Sequence, residues 1–103
     1  MTPTIYVGDT FPLVIEWTIP SPENPYQSTD AVISTATVKV IHNKRRTIVV
    51  NEETADVVGN ETRYTIPSDA NSRAGAYTAY VTVTFNDDTR ITKRLEYFVS
   101  PKN

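Results

Sequence analysis

The run from Gly75 to Phe85 constrains the fold of this chain more than any other segment. Apolar or aromatic side chains occupy every second position, mostly with Thr between them: Tyr77, Ala79, Val81, Val83 and Phe85. Because successive side chains of a β-strand point to opposite faces of a sheet, this alternation predicts a long strand with one buried face.

The composition extends this prediction to the whole chain. Thr, Val and Ile supply more than a third of the 103 residues, whereas Leu occurs only at positions 13 and 95. Branching at Cβ favours strand over helix, so the composition indicates an all-β protein. A chain of this length buries one core, and we therefore predict a single domain over residues 1–103.

Charge and cysteine content exclude several classes of partner and site. The formal net charge is −2 and most basic residues are scattered, which argues against nucleic-acid binding. The absence of cysteine excludes disulfides and thiolate metal sites, and it fits a protein made and assembled in the cytoplasm better than a small secreted scaffold. The sequence shows neither a signal peptide nor an apolar run long enough to span a membrane.

Seven segments carry strand periodicity: 4–7, 10–19, 35–41, 47–50, 61–66, 75–85 and a final strand through 91–99. Pro12 lacks an amide proton, so the second strand should lie at a sheet edge, at a bulge or at a strand start there. Without a helix of three turns, the pattern predicts an antiparallel β-sandwich and excludes an open α/β sheet.

The connections are predicted from their polar and Pro-rich composition. We expect a stiff loop at 20–30, a turn at 42–46 and a polar connection at 51–56. A crossing loop at 67–74 should include one helical turn capped by Ser68 or Asp69.

The start of the 75–85 strand resembles strand F of immunoglobulin-like sandwiches. Gly75 opens it, Tyr77 stands at the tyrosine-corner position, and Ala79 stands where antibody domains place a cysteine. This resemblance implies that the Tyr77 ring fills the core edge while its hydroxyl bonds nearby backbone. The only tryptophan, Trp17, falls on the second strand, with no cysteine pair to pack against it, so a looser sandwich family is indicated.

Four stretches occur in the order of a phage protein family: Val-Gly-Asp-Thr-Phe-Pro-Leu at 7–13, Ser-Thr-Ala-Thr-Val-Lys-Val at 34–40, Ala-Gly-Ala-Tyr-Thr-Ala-Tyr-Val at 74–81 and Phe-Asn-Asp-Asp-Thr at 85–89. Together they resemble the small immunoglobulin-like structural proteins of tailed bacteriophages, similar to the N-terminal domain family of the baseplate upper protein. The family prefers Thr-Gly-Ala where this chain has residues 34–36, and Gly where it has Asp88. The resemblance implies a virion component that holds other proteins.

Candidates for catalysis or metal binding are few. His42 lies beside three cationic residues in an expected turn, where a solvated surface role is favoured over a general base. Two acidic groups could gather around calcium, Glu52 with Glu53 and Asp56, or Asp87 with Asp88. Neither has the alternating ligand spacing of a calcium loop, so we expect solvated carboxylates and no catalytic, cofactor or metal site.

The candidate interface residues are two aromatics out of phase with the core face of their strands, one aromatic in the Pro-rich loop and one basic cluster: Tyr80, Phe98, Tyr26, Lys44, Arg45 and Arg46. Exposed aromatics mark protein contacts or sugar stacking, although a sheet face partly covered by neighbours explains them equally well. The basic cluster could bind a phosphate or an acidic neighbour, or simply form a soluble turn.

These observations predict a non-enzymatic structural subunit of a phage virion. Its expected partners are capsid, neck or tail proteins in a symmetric assembly, with no small-molecule ligand, nucleic acid or membrane. The alternative is a carbohydrate-binding or adhesion module that uses the same aromatics.

Overall fold

A computed structural model describes residues 4–17, 32–86 and 88–101. The Pro-rich stretch 20–30 with Tyr26, and Asp87, lie outside these ranges. The described chain forms eight strands and one short 3-10 helix: β1 Thr4–Tyr6, β2 Phe11–Glu16, β3 Ile33–His42, β4 Thr47–Thr54, β5 Asp56–Val58, β6 Glu61–Ile66, the 3-10 helix Ser68–Asn71, β7 Gly75–Phe85 and β8 Arg90–Ser100. Among these residues no helix is long and apolar enough to cross a membrane.

The strands form two sheets, which confirms the predicted all-β sandwich. One sheet has the order β1-β8-β7-β3-β4 and the other β2-β6-β5. Immunoglobulin-type sandwiches have the same order: their strands C, F and G share one sheet with the added strand C′, as β3, β7, β8 and β4 do here. Their strands B, E and D share the other sheet, as β2, β6 and β5 do here. All described strand pairs are antiparallel except one, since β1 runs parallel to β8. Three residues were too few for the sequence to specify their partner.

The core lies between the two sheets and follows the predicted alternation. Val38, Val40 and Val81 are at most 1% exposed on the inner face of the larger sheet. The remaining buried apolar residues are Leu13, Ile15, Trp17, Ile33, Ala36, Val50, Ala55, Ile66, Ala70, Tyr77, Ala79, Val83, Phe85, Tyr97 and Val99. Trp17 therefore has the core position that its strand phase predicted, and its indole N–H donates to the Thr62 hydroxyl at 2.9 Å.

Strand β4 is longer than its apolar pattern suggested. We expected it to end at residue 50, but it continues through the polar stretch to Thr54. The pairing of β4 with β3 contains two register shifts along this length, and Glu52 has a positive φ of 51°. The bulges break the alternation of side chains, which is why the sequence pattern predicts a polar connection over this part of the strand.

The segment before β7 contains the predicted helical turn, but not its predicted cap. Pro67 occupies the N-cap position of the 3-10 helix, and no side chain caps the helix, so the assignment of Ser68 or Asp69 was wrong. The tyrosine corner is confirmed, since the Tyr77 hydroxyl donates to the Arg73 carbonyl at 2.7 Å. The ring of Tyr77 stacks on that of Tyr97 with centroids 5.2 Å apart.

The buried phenol of Tyr97 should make the stability of the fold sensitive to high pH. Burial, with a smaller contribution from Tyr77, raises the pKa of its phenol well above the ordinary value of 10.0. The folded state therefore retains this proton when the unfolded chain has lost it, so its stabilising effect is complete below pH 10 and is lost above that pH. We expect the melting temperature to fall as the pH rises above about 10, and to fall less in a Tyr97→Phe variant. Equal falls in both proteins would contradict this assignment.

Most sheet edges are protected against pairing with another chain. Pro12 lies in β2, an edge strand, which is one of the three positions expected for it, while β1 and β5 are edge strands of three residues each. The β7–β8 hairpin places Asp88 at a φ of 68°, a conformation that Gly adopts without strain. Edge strand β4, with eight residues, is the longest of the described edges.

Candidate interaction surface

His42 is not the solvated residue that its cationic neighbours suggested. It ends β3 at 3% exposure and packs edge-on against the Tyr77 ring, with centroids 4.7 Å apart. The Arg45 amide donates to Nδ1 at 3.3 Å, and Nε2 lies 3.0 Å from the Ala74 carbonyl. Because Nδ1 accepts, Nε2 carries the proton and donates to Ala74. His42 thus joins the β3–β4 turn to the segment before β7, and neither ring nitrogen faces solvent as a general base would.

The turn beyond His42 presents the predicted basic cluster. Lys44, Arg45 and Arg46 are all exposed, and Arg46 has a positive φ of 54°. The Asn43 amide donates to the Ala76 carbonyl at 3.0 Å, so the base of the turn is fixed to β7. The cations therefore project from a firmly held turn.

The outer face of the larger sheet carries an exposed aromatic pair. Phe98 is 42% exposed, as its phase in β8 predicted, because Tyr97 and Val99 on either side point into the core. Tyr6, on neighbouring strand β1, is 43% exposed. It pairs with Ser100, which lies on the Phe98 face two residues further along β8. Tyr6 and Phe98 thus lie on one face of neighbouring strands, diagonal to each other in the register, and we call them the aromatic pair.

Tyr80 lies on the same outer face but apart from this pair. It is half-buried between Lys39 on β3 and Arg94 on β8, its partners in the strand register. Ala76, the β7 partner of Phe98, is four residues away, about 13 Å along the strand. The structure therefore places Tyr80 and Phe98 on one face without bringing them into contact.

A depression lined by hydroxyl groups occupies the other half of this face. It has a volume of about 550 Å³ and is lined by Thr35, Thr37, Glu52, Thr82, Thr84, Arg90 and Thr92. The Thr82 and Thr92 hydroxyls are 2.9 Å apart and hydrogen-bond each other across β7 and β8. Tyr80 is not among the lining residues, but it precedes Thr82 by two residues and so neighbours it on the same face of β7.

Those carboxylates considered for calcium that the structure describes do not come together as a ligand set. Glu52 and Glu53 lie in β4, Asp56 begins β5, and Asp88 lies in the β7–β8 hairpin. Across residues 4–17, 32–86 and 88–101, no three His, Cys, Asp or Glu side chains come together in a metal-ligating arrangement.

Sequence reasoning missed two large apolar side chains that the structure exposes, those of Tyr6 and Ile48. Tyr6 belongs to a strand too short to reveal which face its side chain occupies. Ile48, 47% exposed on β4, lies in a segment with no polar alternation to mark its outward face. The exposure of Phe98 and of the basic turn is confirmed, while their role in binding stays a prediction. In comparisons with known proteins, no family model, curated protein or solved structure matches the chain.

Proposed function

We propose that this chain is a non-enzymatic structural subunit of a tailed-phage particle that docks onto a neighbouring virion protein. The carrying observation is the aromatic pair, Tyr6 and Phe98, both exposed on the outer face of the larger sheet on neighbouring strands. Large aromatic side chains supply much of the binding energy of protein interfaces, and they lose little conformational entropy when they become ordered.

Two further features support this proposal. His42, the only histidine, is bound through both ring nitrogens to backbone groups and is thereby committed to the fold. The phage setting rests on the resemblance of the four sequence stretches to tailed-phage structural proteins. A sandwich that exposes two aromatic side chains, Tyr6 and Phe98, on one sheet face suits a role in holding neighbours together.

Quantitative mass spectrometry of purified particles from the native source tests the virion assignment. Abundance near that of the major capsid protein would indicate a capsid decoration subunit. A small fixed copy number would place the chain in the neck, tail or baseplate. Absence from clean particles would overturn the proposal.

The docking surface is tested by replacing Tyr6 and Phe98 together with Ser. We expect incorporation into particles to fall about tenfold or more, corresponding to about 1.4 kcal/mol of lost binding free energy. Val14→Ser is the matched control, because Val14 is 53% exposed on the outer face of the smaller sheet. Both variants should melt close to the parent protein. Equal incorporation of the two variants would contradict docking through the aromatic pair.

A carbohydrate-binding role is the second candidate, favoured by the threonine-lined depression beside Tyr80. Hydroxyl groups with one Arg and one Glu can hydrogen-bond a sugar while Tyr80 stacks on its ring. Trp17, at 5% exposure, is not available for stacking. A glycan array that detects binding abolished by Tyr80→Ala would favour this candidate, and an array without any ligand would exclude the glycans that it displays.

A further inference from the structure

We propose that two copies of this chain associate through their β4 edges, antiparallel to each other, with the basic turn of each copy against the acidic end of β4 in the other. This surface is separate from the aromatic pair, so the inference does not depend on the phage assignment. Three observations about β4 and its surroundings carry it.

The first observation is that β4 is an open edge. It ends the sheet order β1-β8-β7-β3-β4, and β3 is its only paired strand among the described residues. Such an edge leaves backbone amides and carbonyls available for another strand. Thr47 and Ile48 are exposed, and Val49 is half-buried, so the start of the strand is accessible.

The second observation is the order of charges along this edge. Residues 44–53 read Lys-Arg-Arg-Thr-Ile-Val-Val-Asn-Glu-Glu, with three cations at one end, two carboxylates at the other and apolar residues between them. Antiparallel association of two such edges brings opposite charges together at both ends, whereas parallel association brings like charges together. The sequence is therefore complementary to itself under a two-fold axis, the commonest symmetry of homodimers.

The third observation is an acidic groove that runs beside β4. Its volume is about 340 Å³, and its walls include Ile48, Glu53, Tyr64 and Asp69. Burial, followed by the carboxylates of Glu53 and then Asp69, raises the pKa of the Tyr64 phenol, which is consistent with a negative potential there. A guanidinium group from the second copy's basic turn would find carboxylate acceptors in this groove.

The basic turn has no competing ion pair within the described part of the chain. The two ion pairs formed there, Arg63 with Glu61 and Arg94 with Glu96, leave residues 44–46 out. Because bulges interrupt β4, a second strand can pair regularly with only a short stretch of it. Charge must therefore supply much of the attraction, and the dimer should be sensitive to salt.

Sedimentation equilibrium of the full chain tests this inference. At an ionic strength of about 0.01 M, where the Debye length is about 30 Å, we expect a concentration-dependent dimer. At about 1 M, where the Debye length is about 3 Å, the dimer should dissociate. A monomer at every concentration and ionic strength would overturn the inference.

Charge reversal tests which groups form the contact. One variant carries Lys44→Glu, Arg45→Glu and Arg46→Glu, and the other carries Glu52→Lys and Glu53→Lys. Each alone should be monomeric, because like charges then meet at both ends of the contact. A mixture of the two should form a heterodimer, because both ends regain opposite charges.

Two controls make the result specific to β4. Glu96→Lys reverses an exposed charge on β8 and should leave the dimer intact. Replacing Tyr6 and Phe98 with Ser should also leave it intact, which separates this inference from the proposed docking function. Circular dichroism and Trp17 fluorescence establish that each variant is folded. Dimers that survive both charge reversals, or a mixture of reversed chains that remains monomeric, would overturn the inference.

Discussion

Replacement of Gly75 with Ala should destabilise the fold by about 3 kcal/mol or more, through backbone strain and steric overlap together. Gly75 begins β7 at a φ of +133°, a conformation that L-residues rarely adopt. A Cβ at this position would lie 2.9 Å from Nε2 and 3.2 Å from Cε1 of His42. The imidazole cannot easily move away, because backbone groups hold both of its nitrogens. Thermal unfolding should show a loss of at least about 10 °C in melting temperature.

Gly59→Ala is the matched control for this substitution. Gly59 also has a positive φ, +62°, but a Cβ there would meet nothing within 4 Å. Its expected cost is the backbone term alone, about 1–2 kcal/mol. In a His42→Ala background, Gly75→Ala should cost less than in the parent chain, since the ring that it strikes is gone. Equal destabilisation by the two substitutions, or the same destabilisation by Gly75→Ala with and without the His42 ring, would show that contact with His42 is not the reason why residue 75 must be Gly.

Replacement of Asn71 with Ala should cost about 2–4 kcal/mol, because it strands buried polar groups. Asn71 has no exposed surface. Its Oδ1 accepts the Tyr97 hydroxyl proton at 2.8 Å, and its Nδ2 donates to the Asp9 carbonyl at 2.9 Å. Tyr97 is itself fully buried, so no water can replace the lost acceptor without rearrangement. Urea unfolding followed by Trp17 fluorescence measures the loss.

Asn51→Ala is the matched control for the two hydrogen bonds of the Asn71 side chain, because Asn51 is exposed on β4. Its expected effect is within about 0.5 kcal/mol. Tyr97→Phe should cost less than Asn71→Ala because it removes one hydrogen bond and leaves the Asp9 contact in place. The double variant should be less destabilised than the sum of the single variants. An Asn71→Ala variant as stable as Asn51→Ala would mean that the amide does not hold these elements together.

The sequence was most informative where strands are long and regular. In β3 and β7 the period of two extends over many residues, and one face is buried throughout, so their faces follow from alternation alone. Phe98 was assigned to the outer face by the same argument. The tyrosine corner was also predictable, because Tyr77 has a fixed place relative to the start of its strand.

Other features depend on partners that are distant in the chain. His42 is buried because β7 and the Ala74 carbonyl lie over it, whereas its sequence neighbours are cations that suggested a solvated turn. Asn71 is buried in a polar segment and is satisfied by residues from β8 and the β1–β2 turn. No local pattern reports such contacts. The aromatic pair was only half predicted for the same reason, since it is the parallel pairing of β1 with β8 that puts Tyr6 on the same face as Phe98, diagonal to it.

The parallel pairing of β1 with β8 also determines which hydrogen bonds would resist a pulling force on the domain. Thr4 pairs with Phe98 and Tyr6 with Ser100, and beyond the strand the Val7 amide donates to the Ser100 carbonyl at 3.0 Å. A force that pulls residue 4 and residue 100 apart acts along these two strands in opposite directions. It therefore shears their hydrogen bonds together, whereas a force on an antiparallel hairpin from its open end breaks them one at a time. A tension transmitted through the two ends of this sandwich would meet its resistance at the contact between β1 and β8.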